Sequence, residues 1–230
     1  MSRPDFAHTD LGTLTSGDLR LLIENMPQPG DSYEAIAQVL ETLPSTIESM
    51  LTSDYIYQLI HDRRQLMLGM SPFLLFSVLL RRSLGRPRTV LDRRVLNYLA
   101  NLLALFVRTD RVFRVEPGDR EPHHYVVELI AEADDADPRR AFVTYAHVGN
   151  YALWLTGLQM QWLEQRYHFG RRPISPDYYA GFGQSSFERA ARHQLARGFG
   201  LDDVFMRLAV MFDHYRGGLA TMQRDHLTGS

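Results

Sequence analysis

The sequence predicts an all-α fold, a single-domain bundle of about seven to nine helices around one central buried helix. Three observations predict it. From Phe142 to Leu163, FVTYAHVGNYALWLTGLQMQWL, the chain runs 22 residues without Asp, Glu, Lys or Arg. Elsewhere apolar residues recur at helical spacing between capping residues and Gly or Pro stops, as in Val95, Leu96, Leu99, Leu102, Leu103, Phe106 and Val107. No internal repeat, low-complexity run or long linker divides the 230 residues, a length that buries most of its apolar surface without staples.

Taken in order, residues 1–15 read as a loose arm. Ser16 caps a short helix with Leu19, Leu22 and Ile23 on one side, ending before Pro27. Asp31 with Glu34 has the form of a capping box ahead of YEAIAQVLETL, and Ser45 with Glu48 repeats it for a helix that breaks near Ser53 and runs toward His61. Pro72 after Ser71 suits the first helical position of PFLLFSVLLRRSL, which Gly85 and Pro87 stop. Thr89 with Asp92 caps the next helix. The alternation in VFRV and the Pro117–Gly118 turn leave room for a short hairpin near residues 111–126. Val126 to Ala133 reads as helix, because Glu128 and Glu132 follow His124 at four-residue intervals.

Asp137 before Pro138 starts the helix that carries the central stretch, expected to reach about His168 with a kink at Gly149 or Gly157. Gly170 and Pro173 end it. Ser175, Pro176 and Asp177 start YYAGFGQSSFERAARHQLA, closed by Gly198 and Gly200. A last helix starts at Asp202 or Asp203, with Val204, Phe205, Leu208, Phe212 and Tyr215 inside, and residues 219–230 form a loose tail.

At 100° per residue, Ala146, Gly149, Ala152 and Thr156 fall on one side of the central helix, and His147, Tyr151, Trp154 and Leu158 on the other. Both faces read as buried. Its length matches a bilayer span of about 20 residues. His147, Asn150, Gln159, Gln161, two Thr and two Gly argue instead for the middle of a protein core, because polar groups inside a bilayer need internal partners.

Composition removes several function classes. With no Cys there is no disulfide, no thiolate nucleophile and no Cys-held zinc or iron–sulfur cluster. All 25 basic residues are Arg, which excludes a Schiff-base lysine and a phosphate-loop lysine. A net charge of −2 argues against nucleic acid as a partner at the level of the whole chain. The N-terminus has no apolar signal-peptide core, so a cytoplasmic location is expected.

Three constellations could carry chemistry. His147, Asn150, Tyr151 and Trp154, joined by Tyr178 and Tyr179 from the next helix, could line a small-ligand pocket with acid, base and hydrogen-bonding groups. The simpler reading is a core histidine satisfied by a neighbour. A metal is a second candidate, at His123, His124 and Glu128, but neither a di-iron ligand set nor H-E-x-x-H is present, so no metal or other cofactor is expected. Third, RRSLGRPRTVLDRR places Arg81, Arg82, Arg86, Arg88, Arg93 and Arg94 within 14 residues, suited to an anion or nucleic-acid phosphate. The simpler reading there is a solvated loop with ordinary ion pairs.

With no catalytic constellation, the chain reads foremost as a bacterial interaction or regulatory protein acting through helix packing, as a homodimer or with a protein partner. A ligand-binding protein or enzyme using the His147 pocket is the alternative, followed by anion or nucleic-acid binding at Arg81–Arg94.

Overall fold

Capping and stop signals divide the chain much as read, and every regular element among the described residues is a helix. The computed structural model describes residues 2–25, 43–61, 69–119, 126–168 and 175–227. The Asp31–Glu34 capping box with its helix, and His123 and His124, lie outside the described residues. Thirteen helices occur among the described residues, and no strand. The excess over the expected number comes from breaks at Ser53, Gln159, His193 and Met211, which split longer periodic stretches, and from an added single turn at Thr109–Val112.

The N-terminal part comprises α1 (Ser16–Glu24), α2 (Leu43–Leu51) and α3 (Asp54–His61). Thr15, one residue before the expected cap, closes a capping box with Asp18 on α1. Leu22, Met50, Leu51, Ile56 and Ile60 bury a small apolar cluster against Leu74 and Val78 of α4 (Pro72–Leu84). Ser71 caps α4, with Pro72 at its first position. Gly85 (φ 91°, ψ 169°) ends it in a conformation that a residue with a Cβ rarely adopts. The chain then turns into α5 (Val90–Phe106), held by the Thr89–Asp92 capping box, and the two helices pack on each other.

A single turn, α6 (Thr109–Val112), overlaps the start of the expected 111–126 hairpin, of which residues 120–125 lie outside the described residues. No strand pairs within residues 111–119, because a side chain anchors this segment: Arg111 donates to both carboxylate oxygens of Asp5 (2.8–3.1 Å) and to the Arg114 carbonyl (2.8 Å). The same contact ties down the N-terminal arm expected to be loose. Phe6 and Ala7 are buried, Phe6 packs on Phe142 and Phe205, and Asn101 donates to the Asp5 carbonyl. Burial of one aromatic ring and several long-range side-chain bonds fixes the arm in place.

Helix α7 (Val126–Asp135) precedes α8 (Pro138–Leu158), the central stretch. Asp137 caps α8 by accepting from the Arg139 and Arg140 amides. Helix α8 packs against α7, α10 (Pro176–Arg192) and α13 (Phe212–Met222), and α10 packs in turn on α12 (Asp202–Val210). The helix runs unbroken through Gly149 and Gly157, the two positions where a kink was expected. The helix ends instead at Gln159 (φ −118°, ψ 23°) and restarts as α9 (Met160–His168). The glycines serve close approach: a Cβ on Gly149 would sit 2.7 Å from the Phe187 ring, and one on Gly157 2.8 Å from Leu219.

Helix α11 (Gln194–Phe199) closes on Gly200 in the left-handed region. Residues 219–222, expected in a loose tail, complete α13, with Leu219 and Met222 buried. A π turn, Gln223–Leu227, follows, and its His226 hydrogen-bonds the Tyr57 hydroxyl at 3.0 Å. Among the described residues no helix is long and apolar enough to cross a membrane.

Candidate functional site

The face of α8 proposed as a ligand pocket is occupied by aromatic packing. His147 is 4% exposed, and its ring meets the edge of Phe106 at 6.2 Å. Trp154 makes an edge contact with the same Phe106 at 6.0 Å and tilts against Tyr151, which in turn lies on Phe113. Asn150 accepts a 2.7 Å hydrogen bond from the hydroxyl of Tyr98 on α5, both groups buried. Burial raises the Tyr98 hydroxyl far above the usual phenol range, against the weaker opposite pull of the Asn150 bond. That hydroxyl is a fixed donor, not an acid. Tyr179 is buried in the core, whereas Tyr178 is exposed and stacks edge-on with Phe182 at 4.6 Å, so the two tyrosines do not join the His147 group as one surface.

The arginine segment divides by role. Arg81, with a fully buried side chain, forms a two-pronged pair with Glu48 (2.6 and 2.8 Å) and also donates to the Ser77 carbonyl and to Asn97. Arg94 is committed to Asp203 and the Gly200 carbonyl. Both clamp helices together. Arg82 reaches Asp54 and lies over the Tyr57 ring at 4.7 Å. Arg93 is exposed on α5. Arg86 reaches only the Thr52 carbonyl, at 3.4 Å, and the exposed Arg88 side chain has no acceptor among the described residues.

Two cavities open on either side of the Gly85–Arg88 turn. The larger, about 490 Å³, is lined by Arg86, Arg88, Asp92, Arg207, His214 and Tyr215, with Leu84, Leu96 and Met211 as its apolar wall. The smaller, about 300 Å³, is lined by Thr52, Ser53, Asp54, Tyr57, Arg82 and Arg86, among others. Neither includes a residue of the His147 face. Gly85 and Arg86 line both.

In the larger cavity three guanidinium groups face one carboxylate, and that carboxylate is already engaged. Asp92 accepts from the Thr89 and Arg88 amides and from Arg207 Nη2 at 2.9 Å. Burial works to raise its pKa, but these bonds prevail and hold it below the usual carboxylate range. Arg207 spends Nη1 on the Met211 sulfur at 3.4 Å, and its Nε is buried with no hydrogen-bond partner. Burial raises the Tyr215 hydroxyl above its ordinary value, so it stays a protonated donor at neutral pH.

Sequence reasoning marked Arg86 and Arg88 but missed Arg207, His214 and Tyr215. Arg207 lies 115 residues from Asp92, in a helix whose apolar neighbours dominate the pattern. No spacing rule links residues that far apart; only the packing of α12 and α13 beside the α4–α5 turn brings them there. Glu128 is exposed on α7, and among the described residues no group of three or more His, Asp or Glu is placed to hold a metal. Comparison of the chain with known protein families, curated proteins and solved structures finds no match.

Proposed function

We propose that this protein binds a small anionic ligand, phosphate-bearing in the first instance, in the cavity beside the α4–α5 turn. The observation that carries the reading is the convergence of Arg86, Arg88 and Arg207 on one concave space whose single carboxylate, Asp92, is already paired with Arg207 and held by two backbone amides, so that the cavity keeps a surplus of positive charge. A cavity of about 490 Å³ falls within the range of small-molecule sites, roughly 300–1,000 Å³. Guanidinium groups match the planar, multi-acceptor geometry of phosphate, and a charge-assisted bond of this kind is worth about 1.5–3 kcal/mol. The N-terminus of α5 is already capped by Thr89 and Asp92, so the attraction rests on side chains and not on free helix amides.

Titration calorimetry with inorganic phosphate at low ionic strength tests this. Arg88→Ala is expected to weaken binding about tenfold or more without moving the melting temperature, since its side chain is exposed. Phosphate that binds the variant as well as the parent sinks the reading. A regulatory protein acting through self-association is the other reading. Its exposed apolar residues, among them Ile23, Tyr55, Val90, Val107, Trp162 and Val210, are spread over many elements, which supports it less.

A further inference from the structure

We infer that the ligand is an oligophosphate, two or more linked phosphoryl groups bridging both cavities across the Gly85–Arg86 turn, with Arg88 and Arg207 holding one end and Arg82 the other. The inference rests on the single-anion reading of the larger cavity and deepens it. Its own observation is that the two cavities share a wall. Gly85 and Arg86 line both, so Arg86 stands between them. Among the described residues the guanidinium of Arg86 makes only a long 3.4 Å contact to the Thr52 carbonyl, which leaves most of its five donors for an occupant on either side.

The smaller cavity adds charge of the right sign. Arg82 lines it, paired with Asp54, and side chains of both are well exposed (47% and 71%), so the pair is weak enough to be opened by a competing anion. The Ser53 hydroxyl already accepts from the Ile56 amide and keeps its proton to donate. Arg81 sits behind, fully paired with Glu48, and contributes shape and no free charge.

A nucleotide fits this less well than a bare phosphate chain. The aromatic ring in the smaller cavity, Tyr57, is already covered by Arg82 at 4.7 Å, stacked with His61 at 5.8 Å and met edge-on by His226 at 5.3 Å. A base entering there would have to displace these contacts before it could stack.

The test is titration calorimetry of the full chain with orthophosphate and with tripolyphosphate at the same low ionic strength. The parent should bind tripolyphosphate at least tenfold more tightly. Arg82→Ala should bring tripolyphosphate down to the orthophosphate level while leaving orthophosphate affinity unchanged. Asp54→Asn, which releases Arg82 from its partner, should raise tripolyphosphate affinity alone. Orthophosphate binding that depends on Arg88, with no gain for tripolyphosphate or a gain that survives Arg82→Ala, overturns the bridge and leaves the single-anion cavity standing. No binding of either anion overturns both. A single-stranded oligonucleotide that binds more tightly than tripolyphosphate with the same Arg82 dependence overturns the small-ligand form in favour of a nucleic-acid backbone.

Discussion

At the scale of single residues, the polar groups on the central helix act as fasteners. The Tyr98 hydroxyl and Asn150 Oδ1 meet at 2.7 Å between α5 and α8, each inaccessible to water. Removing one partner strands the other without solvent, and such a stranded group costs about 1–3 kcal/mol. Tyr98→Phe should accordingly lower stability to denaturant by that amount while leaving phosphate binding intact, since Tyr98 does not line the cavity. An unchanged unfolding midpoint would show that Asn150 finds another donor. Arg81 is a fastener of the same kind between α2, α4 and α5, through Glu48, the Ser77 carbonyl and Asn97. Arg86 and Arg88, four and six residues beyond Arg82 in the same basic segment, take no such commitment. Residue type alone does not separate these roles. Partner and burial do.

At the scale of elements, small residues on α8 and α10 set how closely helices approach. Gly149 receives the Phe187 ring, and Gly183 receives the Phe212 ring beside the Ala152 methyl. Gly149→Ala would place a methyl 2.7 Å from Phe187, itself fully buried, so the ring has nowhere to move without displacing its neighbours. Overpacking of this sort costs about 1–3 kcal/mol, and a drop in melting temperature of several degrees is expected. A neutral result would mean that α8 and α10 slide apart freely. The helix boundaries tell a related story. Ser71, Thr89, Asp137 and Ser175 were readable as caps because a hydroxyl or carboxylate satisfies backbone amides within three residues, a local interaction. The break at Gln159 was not readable, since the two glycines that looked like hinges are instead contact points with α10 and α13.

At the scale of the whole molecule, two histidines, one at the junction of α10 and α11 and one in the C-terminal π turn, should make its stability sensitive to mild acid. Burial lowers the pKa of His193, whose ring lies 5.5 Å from Phe142. Burial likewise lowers that of His226, helped by the charges of His61 and Arg82 and opposed by Asp225. Because the folded values lie below the unfolded one, about 6.5, both rings are neutral in either state at higher pH and contribute no pH dependence there. As pH falls through the unfolded value the unfolded chain takes up protons first, and stability declines. The melting temperature should drop between pH 7 and pH 5, and His226→Gln should flatten that slope. A melting temperature that is constant or rises over the same interval contradicts the prediction.

By itself the sequence determined what depends on neighbours along the chain: the helical class of the described residues, most helix starts, the buried character of the central stretch as far as Leu158, and the gathering of arginines between Arg81 and Arg94. Only the tertiary structure decided what depends on residues far apart in the chain. It seated the N-terminal arm through Asp5 and Arg111 and filled the His147 face with Phe106. It also brought Arg207, His214 and Tyr215 to the turn where Arg86 and Arg88 wait. Capping and periodicity are interactions over three or four residues, whereas a cavity is a space between elements, and its lining is set by packing that no local pattern records.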